Sequence, residues 1–144
     1  VSSTFLSTVH LAATAAMVGL IWFVQVVHYP LFGAVGADGF VAYETAHRWR
    51  TGLVVGPLMA VESVTALVLV ADPPSGVGRG WPVAGVALLA VIHASTVLLQ
   101  VRRHEELNAG YDERAHRRLV RSNWIRTVGW SARCVVAAAI VLAA

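Results

Sequence analysis

The sequence predicts an all-α integral membrane protein built as a four-helix bundle. Three observations carry that expectation. Of the 144 residues, 57% are hydrophobic and 13% charged, about half the charged share of an ordinary soluble domain, and the mean hydropathy is +0.66. Four apolar stretches, at about 4–28, 52–71, 82–101 and 124–144, are long enough to cross a bilayer core, which takes roughly 20 residues of helix. The charges fall mainly in the joints between them. This composition excludes a disordered chain and an ordinary soluble enzyme. It also excludes a nucleic-acid partner, whose footprint would be a basic face on a folded soluble module. One hydrophobic unit of this length is a single transmembrane domain, 1–144.

Backbone polar groups in hydrocarbon must be satisfied within their own segment, so the stretches are helices. The first ends at His28-Tyr29-Pro30. It has no basic leader and no small-residue cleavage site, so it is expected to be a retained span rather than a signal peptide. Asp72-Pro73-Pro74-Ser75-Gly76 stops the second, because proline removes a backbone donor. Trp81-Pro82 starts the third at an interface. The fourth closes the chain. All eleven cations are arginines, and nine of them lie in or beside the joints 29–51 and 102–123, against Arg79 alone in the joint 72–81. The positive-inside rule puts the two rich joints in the cytoplasm and both termini outside, in the inner (plasma) membrane of a cell.

Each rich joint carries a helical piece. Phe40, Tyr43, Glu44 and His47 share one face at i, i+3, i+4, i+7, and Asp112, Glu113, His116, Val120 and Asn123 share another. Two short amphipathic helices on the cytoplasmic face are expected, with arginines meeting anionic lipid headgroups. The halves also resemble each other. Gln25…His28 precedes Ala46-His47-Arg48, as Gln100…His104 precedes Ala115-His116-Arg117. A parallel internal repeat would place a site at the interface of its halves.

Ionisable groups within a span are costly and normally face the bundle interior. His10, Glu62, His93 and Arg133 are the four. Helical phase puts His10, Thr14, Met17, Ile21 and His28 on one stripe, His93, Thr96, Gln100 and His104 on a second, and Arg126, Trp130 and Arg133 on a third. Glu62 has Thr65 one turn on. Glu62 and Arg133 lie at similar depth, so an ion pair between them is expected. His10 and His93 are the in-membrane candidates for haem ligation, although their depths are mismatched by about 7 Å at the helical rise.

His28, His47, His104 and His116 fall at the same ends of the spans, from both halves. Imidazole is the commonest side-chain metal ligand, so these four, with Glu44 and Glu113 from two Glu-x-x-His sequences, form a candidate copper, iron or zinc set. The plainer alternative is that they are interfacial hydrogen-bonding groups. As catalytic groups, His47 and His116 are placed as acid and base. Arg126, Arg133 and Glu62 are the charged groups that would orient a substrate or stabilise its developing charge. Cys134 is expected to be an inert buried thiol. No phosphate-binding glycine loop and no nucleophile elbow is present.

The segments Trp22…Gln25…His28-Tyr29-Pro30-Leu31-Phe32, Tyr43…His47…Arg50 and Asn123-Trp124-Ile125-Arg126-Thr127 resemble small four-span bacterial membrane proteins, which are similar in turn to the anthrone-oxygenase-like group. The resemblance implies an oxidative activity on a hydrophobic aromatic substrate. The expected function is therefore an oxidoreductase or oxygenase acting on a lipophilic small molecule that enters from the bilayer. Three rival expectations are a small subunit or scaffold of a larger membrane complex or homo-oligomer, a haem protein, and a proton path through Glu62, His93 and Arg133. In the scaffold reading, Gly52, Gly56, Gly85 and Gly129 serve helix packing.

Overall fold

A computed structural model describes residues 3–144, and among them every regular element is helical. Helix α1 spans Ser3–Phe23 and runs on into a π-turn, Val24–His28, and a 3-10 turn, Pro30–Ala34. Helix α2 spans Ala37–Ala71, α3 Gly80–Ser95, α4 Arg102–Asn108 and α5 Glu113–Ala143. A second π-turn, Thr96–Val101, joins α3 to α4 without a break. Four of these rods are long and apolar enough to cross a membrane. Around the bundle α1 packs on α2 and α5, and α3 packs on α2 and α5, so α1 faces α3 and α2 faces α5 across the diagonals.

The amphipathic pieces of the two joints are helical, but they are not separate short helices. Each forms the first turns of the span after it. At about 1.5 Å per residue, the 35 residues of α2 extend about 52 Å, well beyond a hydrocarbon core of about 30 Å. The surplus carries Phe40, Glu44 and His47 inward on one face, and no proline or glycine run separates it from the span. Gly36, at φ 85°, provides the left-handed backbone that reverses the chain before α2. Asp112 caps α5, its carboxylate accepting from the Ala115 N–H at 2.6 Å.

The two π-turns set which residues face inward. Each inserts one residue into the helical count and so rotates the downstream turns by about 100°. In the first, the Tyr29 N–H reaches the Val24 carbonyl at 2.9 Å, and Gln25 and Tyr29 are both buried beside Val24. In the second, Gln100 is buried and the next turns bring His104 and Leu107 toward the core. Within α3 the inward residues are Pro82, Gly85, Leu89, Ile92 and Ser95. His93 is only half-buried. The stripe expected through His93 and Gln100 is therefore corrected: a uniform 3.6-residue count does not cross a π-turn.

Close approach occurs where α3 meets α5. A Cβ added to Gly129 would lie 2.8 Å from Ile92 Cγ1, and one added to Gly85 would lie 3.5 Å from Val136 Cγ1. Gly52 and Gly56 differ, with nothing within 4 Å of an added Cβ, so the packing role expected of them is not observed. Gly129→Val is expected to destabilise the detergent-solubilised protein by about 1–3 kcal/mol through overpacking, and Ile92→Ala in the same chain to recover part of that loss. Gly19→Ala, on the open face of α1, is expected to shift the thermal midpoint slightly upward, because alanine favours the helix by about 0.5–1 kcal/mol.

Candidate functional site

At the end of the bundle where α1 passes into α2, the four expected histidines gather around one ring. Phe32 is fully buried, and its centroid lies 5.3 Å from His28, 5.2 Å from His47, 6.2 Å from His104 and 6.1 Å from His116. Proline at position 30 forces the tight turn that aims Tyr29 and Phe32 back into the bundle.

Hydrogen bonds fix the rings. His28 Nε2 and His47 Nδ1 face each other at 2.8 Å, with Thr51 Oγ1 3.1 Å from the same His47 nitrogen. One of the two facing imidazole nitrogens must carry a proton and the other must be bare. Glu44 is fully buried and its Oε1 lies 2.6 Å from His104 Nδ1. The partner of Glu44 is thus a histidine of the other half of the chain, and not His47 three residues on. On the far side of that ring, His104 Nε2 lies 2.9 Å from the Tyr29 hydroxyl. A carboxylate can only accept, so Nδ1 carries the proton and Nε2 accepts from the phenol. His116 Nε2 donates to the Tyr29 carbonyl at 2.7 Å, and its Nδ1 is 3.1 Å from the Tyr111 hydroxyl.

These bonds determine what the imidazoles are free to do. Both ring nitrogens of His104 and of His116 are engaged. His28 Nδ1 and His47 Nε2 hold no hydrogen bond among the described residues. Among the described residues no three His, Cys, Asp or Glu side chains form a metal-ion set. Glu113, expected among the ligands, is turned outward; it pairs with Arg117 and is 71% exposed, because Asp112 has taken the capping position beside it. The His28–His47 pair is the only part of the expected set with facing nitrogens.

Next to the cluster a cavity of about 290 Å³ opens between α2 and the second π-turn. Tyr29, His47, Thr51, Gln100, His104 and Arg126 line it, and Gly52 and Gly56 form its α2 wall. The bare glycine faces therefore make room instead of a helix contact. Arg126 is 7% exposed, stacks over Trp130 at 5.3 Å and adjoins the Tyr29 hydroxyl. A second cavity, about 380 Å³, lies between α1 and α2, and His28 and His47 line it. His47 borders both.

Deeper in the bundle lies a separate polar cluster. Glu62 Oε1 meets Arg133 Nη2 at 3.4 Å, both residues being buried, and Glu62 Oε2 accepts from Trp130 Nε1 at 2.9 Å. Arg133 Nη1 also donates to the Gly85 carbonyl at 2.5 Å. These side chains span the α2–α5 diagonal, where the backbones themselves pack little. The expected ion pair is present. His10, fully inside, has its Nδ1 2.7 Å from Thr65 Oγ1, and His93 is half-buried on α3. Neither Glu62, Arg133 nor His116 lines the 290 Å³ cavity.

Residues that periodicity does not reveal are Tyr29, Phe32, Thr51 and the Gln25 knot. Gln25 Oε1 accepts from Asn123 Nδ2 at 2.9 Å while its Nε2 donates to the Val120 carbonyl at 3.2 Å. Tyr29 and Phe32 stand in the segment His28-Tyr29-Pro30-Leu31-Phe32, past the first π-turn, where uniform helical spacing no longer marks them.

No family model, curated protein or solved structure gives a significant match to this chain.

Breaking a buried ion pair on one side leaves a charge stranded and costs about 3–5 kcal/mol. Glu62→Leu and Arg133→Met are each expected to destabilise on that scale. The double variant is expected to lose less than the worse single one, as read by thermal unfolding in detergent.

Proposed function

We propose that this protein is an integral membrane enzyme that moves protons on a lipophilic small molecule bound in the cavity between α2 and the second π-turn. The observation that carries this reading is the chain Glu44–His104–Tyr29, at 2.6 and 2.9 Å, ending on a phenol that lines the cavity. A carboxylate that fixes one imidazole nitrogen leaves the other to take a proton, the logic of general-base relays. In the proposed step, a C–H or O–H bond of the substrate breaks and its proton goes to the Tyr29 oxygen. The phenol proton passes to His104 Nε2, and Glu44 balances the imidazolium. The electron pair left on the substrate settles on an oxygen facing the Arg126 guanidinium. His47, with its free Nε2, is the second proton carrier.

The resemblance to the anthrone-oxygenase-like group adds the oxidative form. A deprotonated methylene carbon reacts with dioxygen and becomes a carbonyl, one oxygen atom being retained and the other leaving as water. A copper or iron ion is the second reading; His28 and His47 would hold it in place of the hydrogen bond that joins their nitrogens. The arginine-bearing ends of the spans are assigned to the cytoplasmic side on the nine-to-one arginine bias. The two π-turns, at Gln25 and Gln100, support a duplicated half.

The test is deuterium wash-in from D2O into a panel of lipophilic enolisable ketones and anthrones, with dioxygen uptake followed in parallel. Exchange is expected to fall by about 10²–10⁴-fold in His104→Ala and Tyr29→Phe, and to be unchanged in His93→Ala, which lies outside the cavity. Equal losses in all three, or no dependence on His104, contradict the relay. Retained exchange after chelation favours proton transfer by the side chains alone; a loss restored by one equivalent of copper or iron favours the metal reading.

A further inference from the structure

Five arginines converge on two adjoining pockets at the start of α5. One pocket, about 340 Å³, lies where the second π-turn and α4 meet α5, and Leu99, Arg103, Arg118, Arg121 and Ser122 line it. The other, about 320 Å³, is lined by Arg114, Arg117, Arg118 and Arg121. Arg118 and Arg121 belong to both. Arg114 and Arg117 stand one helical turn before them, so the second pocket lies one turn farther from the apolar span.

The charges of this surface are not balanced within the chain. The four arginines of α5 sit at i, i+3, i+4 and i+7 on one helix face, where like charges repel. Two carboxylates answer the five guanidinium groups: Glu106 pairs with Arg103 and Glu113 with Arg117. Among the described residues Arg114, Arg118 and Arg121 have no carboxylate within salt-bridge distance. The Ser122 hydroxyl is already engaged, donating to the Arg118 carbonyl at 2.7 Å and meeting the Gln100 amide at 3.0 Å. Guanidinium groups can only donate, so both pockets lack anionic oxygens.

The surface next to the arginines sets the rest of the ligand. From Arg121 the same face of α5 continues through Ile125, Val128 and Val135, at i+4, i+7 and i+14, and all three are exposed. Fourteen residues rise about 21 Å, more than half of a hydrocarbon core of about 30 Å. Leu99 brings the end of the third span to the level of the first pocket. The arginines therefore stand at the head of an apolar stripe as long as an acyl chain.

We propose that the two pockets form one site for a membrane lipid whose headgroup carries two phosphates. One phosphate sits among Arg103, Arg118 and Arg121, the other one turn out at Arg114 and Arg117, and an acyl chain lies along Ile125 and Val128. Guanidinium groups match phosphate oxygens by paired hydrogen bonds, and basic pockets between helices at a membrane boundary suit lipid phosphates. A headgroup with a single phosphate fills one pocket and leaves the arginines of the other unanswered. The site shares no residue with the 290 Å³ cavity, so it stands apart from the proposed reaction.

The test is a titration of the whole chain in neutral detergent with tetraoleoyl cardiolipin, which has two phosphates, and with dioleoyl phosphatidylglycerol, which has one, at matched phosphate. Bound lipid is counted by native mass spectrometry. One cardiolipin per chain is expected, bound about tenfold tighter or more than phosphatidylglycerol, since hydrogen bonds to charged groups contribute enough for that ratio. Inorganic pyrophosphate, two phosphates without a tail, should bind about tenfold more weakly than cardiolipin or worse. Arg118→Gln combined with Arg121→Gln should remove the preference for cardiolipin, and the corresponding double lysine variant should keep part of it. Arg103→Gln and Arg114→Gln, one from each pocket, should each narrow the preference, and they carry the test should the double variant fold poorly. Arg79→Gln, an exposed position before α3, removes the same charge and should change nothing. Equal affinity for the two lipids at matched phosphate overturns the inference, because it leaves only general attraction to headgroups. Pyrophosphate as tight as cardiolipin overturns it by showing a site for a soluble anion. Binding unchanged in the pocket variants, or an equal loss in Arg79→Gln, also overturns it.

Discussion

Hydrocarbon supplies no hydrogen bonds, so the long polar side chains held between these helices, unlike serines and threonines that can bond a carbonyl of their own helix, draw on partners from other helices. That constraint accounts for the pairings in this chain. Glu44 on α2 takes His104 on α4; Gln25 in the first π-turn takes Asn123 on α5; Glu62 on α2 takes Arg133 and Trp130 on α5. Each bond joins elements far apart in sequence. Together they fix the register of the bundle more narrowly than apolar packing does, since lipid tails are as apolar as the leucines and valines that face them.

The two polar layers then divide the work. The inner one, around Glu62 and Arg133, bridges the diagonal that the backbones leave open, and its members mostly satisfy each other. The outer one, around Phe32, also satisfies most of its members, but it borders open space. Tyr29, His47, His104 and Arg126 line the cavity. There the Arg126 guanidinium is held by the Trp130 ring and the Tyr29 hydroxyl instead of by a carboxylate. The glycines opposite it widen the gap instead of closing a helix contact.

Much of this is legible in the residues. Composition and the four apolar runs are enough for the fold class, and the depth of Glu62 and Arg133 is enough for their pairing. The convergence of His28, His47 and His104 comes from the arginine-rich ends of the spans. The hidden parts have physical causes. A π-turn leaves no mark in a hydrophobic pattern, so neither the true phase of His93 nor the inward turn of Tyr29 can be read from periodicity. Glu-x-x-His spacing puts two side chains on one helix face but does not choose their partners. Glu44 goes to the opposite half, and Glu113 goes outward to Arg117. Gly52 and Gly56 are indistinguishable in sequence from Gly85 and Gly129, because only the position of the neighbouring helix decides whether a missing side chain permits contact or leaves a void.

Histidines from separate helices are held in fixed tautomers inside this bundle, His28 against His47 and His104 between Glu44 and Tyr29, and the proposed relay depends on the second of these. The most direct measurement is the scalar coupling between ring nitrogens across a hydrogen bond, by NMR of the protein with ¹⁵N-labelled histidine in detergent or nanodiscs. A cross-peak joining His28 Nε2 to His47 Nδ1 is expected, with His104 held as the Nδ1–H tautomer and His116 as the Nε2–H tautomer. Four uncoupled rings in solvent-averaged tautomer mixtures would contradict it.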